Sequence, residues 1–82
     1  MALNAQGMQA LARRDFVAAA DLFAHAAAAD PAAPPLWINL ATARRGAGDD
    51  DGERAALLKA LSLDQRHLTA NLRLAELHER LG

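Results

Sequence analysis

Apolar residues recur every three to four positions along almost the whole chain, which is the pattern of amphipathic helices. Leu3, Gly7, Ala10 and Leu11 share a first face. Asp15 then offers an N-cap to a second helix carrying Phe16, Ala19, Leu22, Phe23, Ala26 and Ala27. That helix ends near Asp30, because Pro31 disfavours helical backbone in the residue before it. Pro34 and Pro35 suit the first turn of a third helix, where a missing N–H costs nothing. The third stripe is Trp37, Leu40, Ala41 and Ala43, and it fades in the glycine-bearing stretch GAGDDDG. Asp49, Asp50 and Asp51 supply a cap and favourable anions to a fourth helix, whose apolar positions are Ala56, Leu57, Ala60, Leu61 and Leu63. A fifth, from about His67 to Leu81, carries Leu68, Leu72, Leu74, Ala75, Leu77 and Leu81. The expected fold class is all-α.

These stripes keep a common period. Asp15 and Asp49, Phe23 and Leu57, Ala26 and Ala60, Asp30 and Asp64, Leu40 and Leu74, and Ala41 and Ala75 are each 34 residues apart. A helix–turn–helix unit recurring at such a step predicts a solenoid whose units stack to bury a shared core.

On these residues the chain resembles the tetratricopeptide repeat family, whose pattern runs W-x2-L-G-x2-Y, then A-x3-F-x2-A, then P. In the first unit Leu3 takes the W place, Gly7 the G and Ala10 the Y, followed by Ala19, Phe23, Ala26 and Pro31. The second offers Trp37, Leu40, Ala41, Leu57 and Ala60, and departs at Glu53, where a small residue is usual, and at Gln65 in the proline place. The resemblance implies a right-handed solenoid with one repeat over 1–33, a second over 34–67, and the first helix of a third over 68–82. A second resemblance, over LWINLATARRGAGDDDGERAALLKALSLDQRHLTANLRLAELHERLG, is to the repeat region that precedes the catalytic domain in bacterial aspartyl/asparaginyl β-hydroxylase-like proteins. It implies an adaptor placed ahead of a 2-oxoglutarate-dependent jelly roll, with the 82 residues as the N-terminal piece of a longer protein.

Composition narrows the function classes. A chain of 82 residues makes one small domain. With no cysteine it has no disulfide and no thiol chemistry. The formal net charge of −1, with both signs interspersed, leaves no electrostatic footprint for nucleic acid or anionic membrane. The longest apolar stretch is mostly alanine and is broken by Asp21 and His25, so no membrane span is expected, nor is a secretory signal. A cytoplasmic protein is the expectation. Arginine far outnumbers lysine, represented by Lys59 alone, which points to a GC-rich bacterial genome.

Catalytic chemistry finds no constellation to rest on. His25, His67 and His78 lack the i, i+4 spacing of a helical metal site, and the sequence points to no cofactor. His25 reads as a partly exposed helix residue, His67 as a turn residue and His78, in the third Y place, as a packing residue. Asp49, Asp50 and Asp51 lack the alternating ligands of a calcium loop. Glu76 and Glu79 with Arg73 and Arg80 have the spacing of solvated pairs along one helix. No enzyme is expected.

Binding is the remaining class. The family resemblance implies that the first helix of each repeat lines a concave groove for an extended peptide or a helix. The groove positions it implies are Met8, Ile38, Asn39, Thr42, Arg45, Leu72, Arg73 and Glu76, with Asn39, Arg45 and Arg73 as polar anchors and Met8, Ile38 and Leu72 as apolar ones. Equally, Met8, Leu11, Ile38 and Leu72 can simply extend the core. Relatives that grip chaperone carboxylate tails use a five-residue clamp, and at those places this chain has Asn4, Met8, Asn39, Thr69 and Arg73. Only Asn39 and Arg73 match, so a different peptide or protein partner is expected. The leucines of the last helix cannot share one narrow stripe, and an uncovered apolar face marks an interface. Leu74, Leu77 and Leu81 are therefore expected to serve self-association into a homodimer.

Overall fold

A computed structural model describes residues 2–82. Its helices are α1 (Ala2–Ala12), α2 (Phe16–Ala29), α3 (Pro34–Gly46), α4 (Asp50–Leu63) and α5 (Leu68–Leu81). Each packs against the next in sequence. The caps explain the boundaries. Asp15 Oδ1 accepts from the Ala18 N–H at 3.3 Å, and Asp49 Oδ1 from the Gly52 N–H at 2.9 Å, each satisfying a donor that the first helical turn leaves over. Pro34 opens α3 in the first turn, as its fixed φ favours. At α5 the cap is His67, whose Nδ1 accepts from the Ala70 N–H at 3.4 Å.

The 34-residue step is written in hydrogen bonds as well as in residue types. Arg14 N–H donates to Leu11 O at 2.9 Å and Asp15 N–H to Ala10 O at 2.9 Å. Gly48 N–H to Arg45 O at 3.1 Å and Asp49 N–H to Arg44 O at 2.9 Å repeat them 34 positions later. Both turns are Schellman closures, in which the residue after the helix adopts positive φ. Arg14 has φ 62° and Gly48 φ 80°, and Gly82 follows at φ 85°. Asp15 and Asp49 thus finish one helix with their N–H and cap the next with their side chain. The wider turns repeat too: Trp37 Nε1 donates to Pro31 O at 2.9 Å, and Asn71 Nδ2 to Gln65 O at 3.3 Å.

The core forms where the helices face one another. Phe23 is fully buried and lies against the backbone of Gly7, where an added Cβ would come within 2.6 Å of its ring. One step later the same two places hold Ala41 and Leu57, both buried. Ala19 of α2 corresponds to Glu53 of α4, and here the chain buries a carboxylate that is only 1% exposed. Arg80 of α5 donates to Glu53 Oε1 at 2.6 Å and to Asp50 Oδ1 at 3.2 Å. These bonds, Glu53 first, raise the already high pKa of the Arg80 guanidinium, so it stays charged beside the buried carboxylate.

The two ends differ. Leu40 and Ala43 of α3 are buried, as is Leu77 of α5, with Leu74 packed half-buried beside it. The corresponding residues of α1 are Gln6 and Gln9, both exposed.

Candidate functional site

The first helices of the successive pairs, α1, α3 and α5, are tied side by side by polar bonds. Asn4 and Met8 stand one turn apart on α1, and Asn39 and Thr42 nearly so on α3. Asn39 Nδ2 donates to Asn4 Oδ1 at 3.2 Å, joining α3 to α1. Thr42 Oγ1 donates to the Ile38 carbonyl at 3.1 Å and accepts from Arg73 Nη1, joining α3 to α5. The Thr42 hydroxyl is thereby fixed in both roles, and Arg73 is held with further donors of its planar fork still available. Asn39 likewise keeps its amide oxygen and a second N–H.

Around these polar ties the expected site residues separate by exposure. Met8 is 47% and Leu72 56% exposed, so both offer apolar surface. Arg45 and Glu76 are exposed as well. Ile38 is only 7% exposed and packs in the core, so it offers little surface to a partner. Ile38 and Leu72 occupy corresponding places 34 residues apart, yet Ile38 lies in the core cluster and Leu72 is 56% exposed.

The leucines expected to mediate self-association also divide. Leu77 is fully buried and presents no free surface, whereas Leu74 packs half-buried on the core. Leu81 is 46% exposed. The outward stripe of α5 consists of Leu68 and Leu72, one turn apart and opposite the buried Ala70 and Leu77. Helical period alone leaves the phase of α5 open. In the folded chain Ala70 and Leu77 face inward, while Arg80 bonds Glu53 and Arg73 bonds Thr42.

Charged groups behave differently from the expected intrahelical pattern. Arg73 and Arg80 do not pair with Glu76 and Glu79 along α5; both reach to other helices. The aspartate run acts as caps and pairs: Asp49 caps α4, Asp50 meets Arg80, and Asp51 lies 3.7 Å from Arg54. His25 Nδ1 donates to the Asp21 carbonyl at 2.8 Å, and His67 caps α5. His78, expected to pack, is exposed. Among the described residues no group of three or more His, Asp or Glu side chains is placed to hold a metal ion. None of the described helices is long and apolar enough to cross a membrane.

A depression of about 340 Å³ opens at the end of this surface, where the start of α1, the end of α2 and the start of α3 meet. Leu3, Asn4, Ala29, Asp30 and Leu36 are among its walls. Sequence periodicity does not reveal it, because it depends on side chains being smaller than their counterparts one repeat later. No family model matches the chain, and no curated protein matches it.

Proposed function

We propose that the chain is a non-catalytic interaction module, a tetratricopeptide-type solenoid that holds a peptide or a helix across α1, α3 and α5. The observation that carries this is the pair of cross-helix bonds, Asn39 to Asn4 and Arg73 to Thr42, beside exposed Met8 and Leu72. A surface that fixes polar side chains in place and leaves apolar ones open has already met much of the ordering cost of binding. Arg73 supplies a charged fork suited to a carboxylate or backbone carbonyls, Asn39 both a donor and an acceptor, and Met8 and Leu72 the apolar contacts. The 34-residue recurrence of caps, closures and positive φ supports the solenoid assignment.

The test is a random-peptide display library panned on the wild-type protein alone, with the enriched peptides then titrated against an Asn39→Ala/Arg73→Ala double variant. The expected result is a set of peptides that bind the folded double variant at least about tenfold more weakly than wild type. If every enriched peptide binds both proteins equally, the groove assignment is wrong.

A second reading is self-association through α5, favoured by the exposure of Leu68, Leu72 and Leu81 on that helix. The face holding Ile38 is covered within the chain and the face holding Leu72 is not.

A further inference from the structure

We infer that the depression between α1, α2 and α3 is a receptor for an indole, the side chain of a tryptophan in the bound peptide; this rests on the groove reading and names the partner's anchor. The second helix pair shows what such a place holds. Trp37 stands there where the first pair has Leu3, and Leu63 where it has Ala29. Trp37 is packed against the core, its indole N–H bonded to the Pro31 carbonyl at 2.9 Å and Lys59 Nζ 5.7 Å from the ring centre. The second pair thus carries an indole and an isobutyl group at these two places. The first pair has smaller side chains at both positions and leaves about 340 Å³ open, a volume at the low end for ligand pockets.

The polar features select an indole over a plain hydrocarbon. Asp30 stands among the lining residues, and its carboxylate accepts no hydrogen bond from any other described residue. Its counterpart Asp64 is engaged, accepting from the Arg66 N–H at 3.1 Å. A buried indole seeks an acceptor for its single N–H, and Asp30 supplies one beside walls made by Leu3, Ala29 and Leu36. Asn4 belongs both to this depression and to the Asn39 bond, so the depression is continuous with the groove. A peptide lying over Asn39 and Arg73 can lower a tryptophan into it without leaving the surface.

N-acetyl-tryptophanamide titrated into isotope-labelled protein, followed by amide chemical shifts, tests this. The expected outcome is saturable shifts centred on Leu3, Ala29 and Leu36, with dissociation in the millimolar range for so small a probe. Asp30→Ala should weaken the probe several-fold. Leu3→Trp and, independently, Ala29→Leu should fill the place, abolish the shifts and leave the helical circular dichroism intact. Shifts that fail to saturate, that scatter over the surface, or that persist in both filled variants overturn the inference. If the probe fails while selected peptides still lose affinity on the Asn39→Ala/Arg73→Ala variant, only the indole receptor falls. If the probe binds here and peptides bind both proteins equally, the groove reading falls and the receptor stands.

Discussion

Arg80 crosses from α5 to place its guanidinium 2.6 Å from the carboxylate of Glu53, which is buried at a position where the preceding repeat has Ala19. Removing the arginine leaves a buried carboxylate without its partner, and removing the carboxylate leaves a partly exposed arginine that still has Asp50. The two losses are therefore unequal. Arg80→Ala should lower the urea midpoint far more than Glu53→Ala, which restores the alanine of α2 and should change stability by about 1 kcal/mol or less. The double variant should be more stable than Arg80→Ala alone. Equal effects of the two single changes would mean that the pair does not anchor α5.

Gly7 and Phe23 form a close contact between α1 and α2. A Cβ at position 7 would meet the ring at 2.6 Å, and the ring is enclosed. Gly7→Ala should therefore destabilise by about 2 kcal/mol, overpacking outweighing the roughly 1 kcal/mol that alanine gains as a helix former. Adding Phe23→Leu reproduces the Ala41 and Leu57 combination and should recover part of that loss. Thermal unfolding of the single and double variants decides it, and an additive loss would mean that the two places are not equivalent.

Arg14 holds φ 62° where the later repeats have Gly48 and Gly82. Left-handed backbone costs an L-residue about 1–2 kcal/mol, partly offset here by the arginine lying 5.9 Å from the centre of the Phe16 ring. Arg14→Gly should raise stability by about 0.5 kcal/mol, and Arg14→Val should lower it by about 1 kcal/mol or more. Chemical denaturation reads both, and a stabilising valine would contradict the turn assignment.

Self-association has to be probed at Leu72 rather than Leu77. Leu77→Glu puts a charge into a fully buried place and should cost more than about 4 kcal/mol, enough to unfold a small domain. Leu72→Glu, exposed, should leave the circular dichroism unchanged. Light scattering across a concentration series then compares wild type with Leu72→Glu. A wild-type mass that rises with concentration and a variant mass that does not would establish the interface on α5. Identical masses would remove it.

Much of the fold was legible because its signals are local. Asp15, Asp49, Pro31 and Pro34 act within one turn of themselves, and the period of apolar residues marks the helices between them. His67 as a cap was less legible, since a ring nitrogen is a rarer acceptor than a carboxylate. What the sequence left open depends on how one helix is rotated against another. The partner of Glu53 lies 27 residues away, and no spacing rule joins it to Arg80. The same rotation decides that Leu77 faces inward and Leu72 outward, although both belong to one leucine-rich helix. Of the expected groove residues, Asn39 bonds Asn4 and Arg73 bonds Thr42, whereas Ile38 is consumed by packing.

Gln6 and Gln9 give the molecule a direction. Where α3 and α5 turn Leu40, Ala43, Leu74 and Leu77 inward, α1 turns these two amides to water. Head-to-tail growth would require the α5 surface of one molecule to dock on the α1 surface of the next, and amides that are well solvated gain little from such contact. Copies that meet through α5 must then meet by like surfaces, and that geometry closes on itself at two.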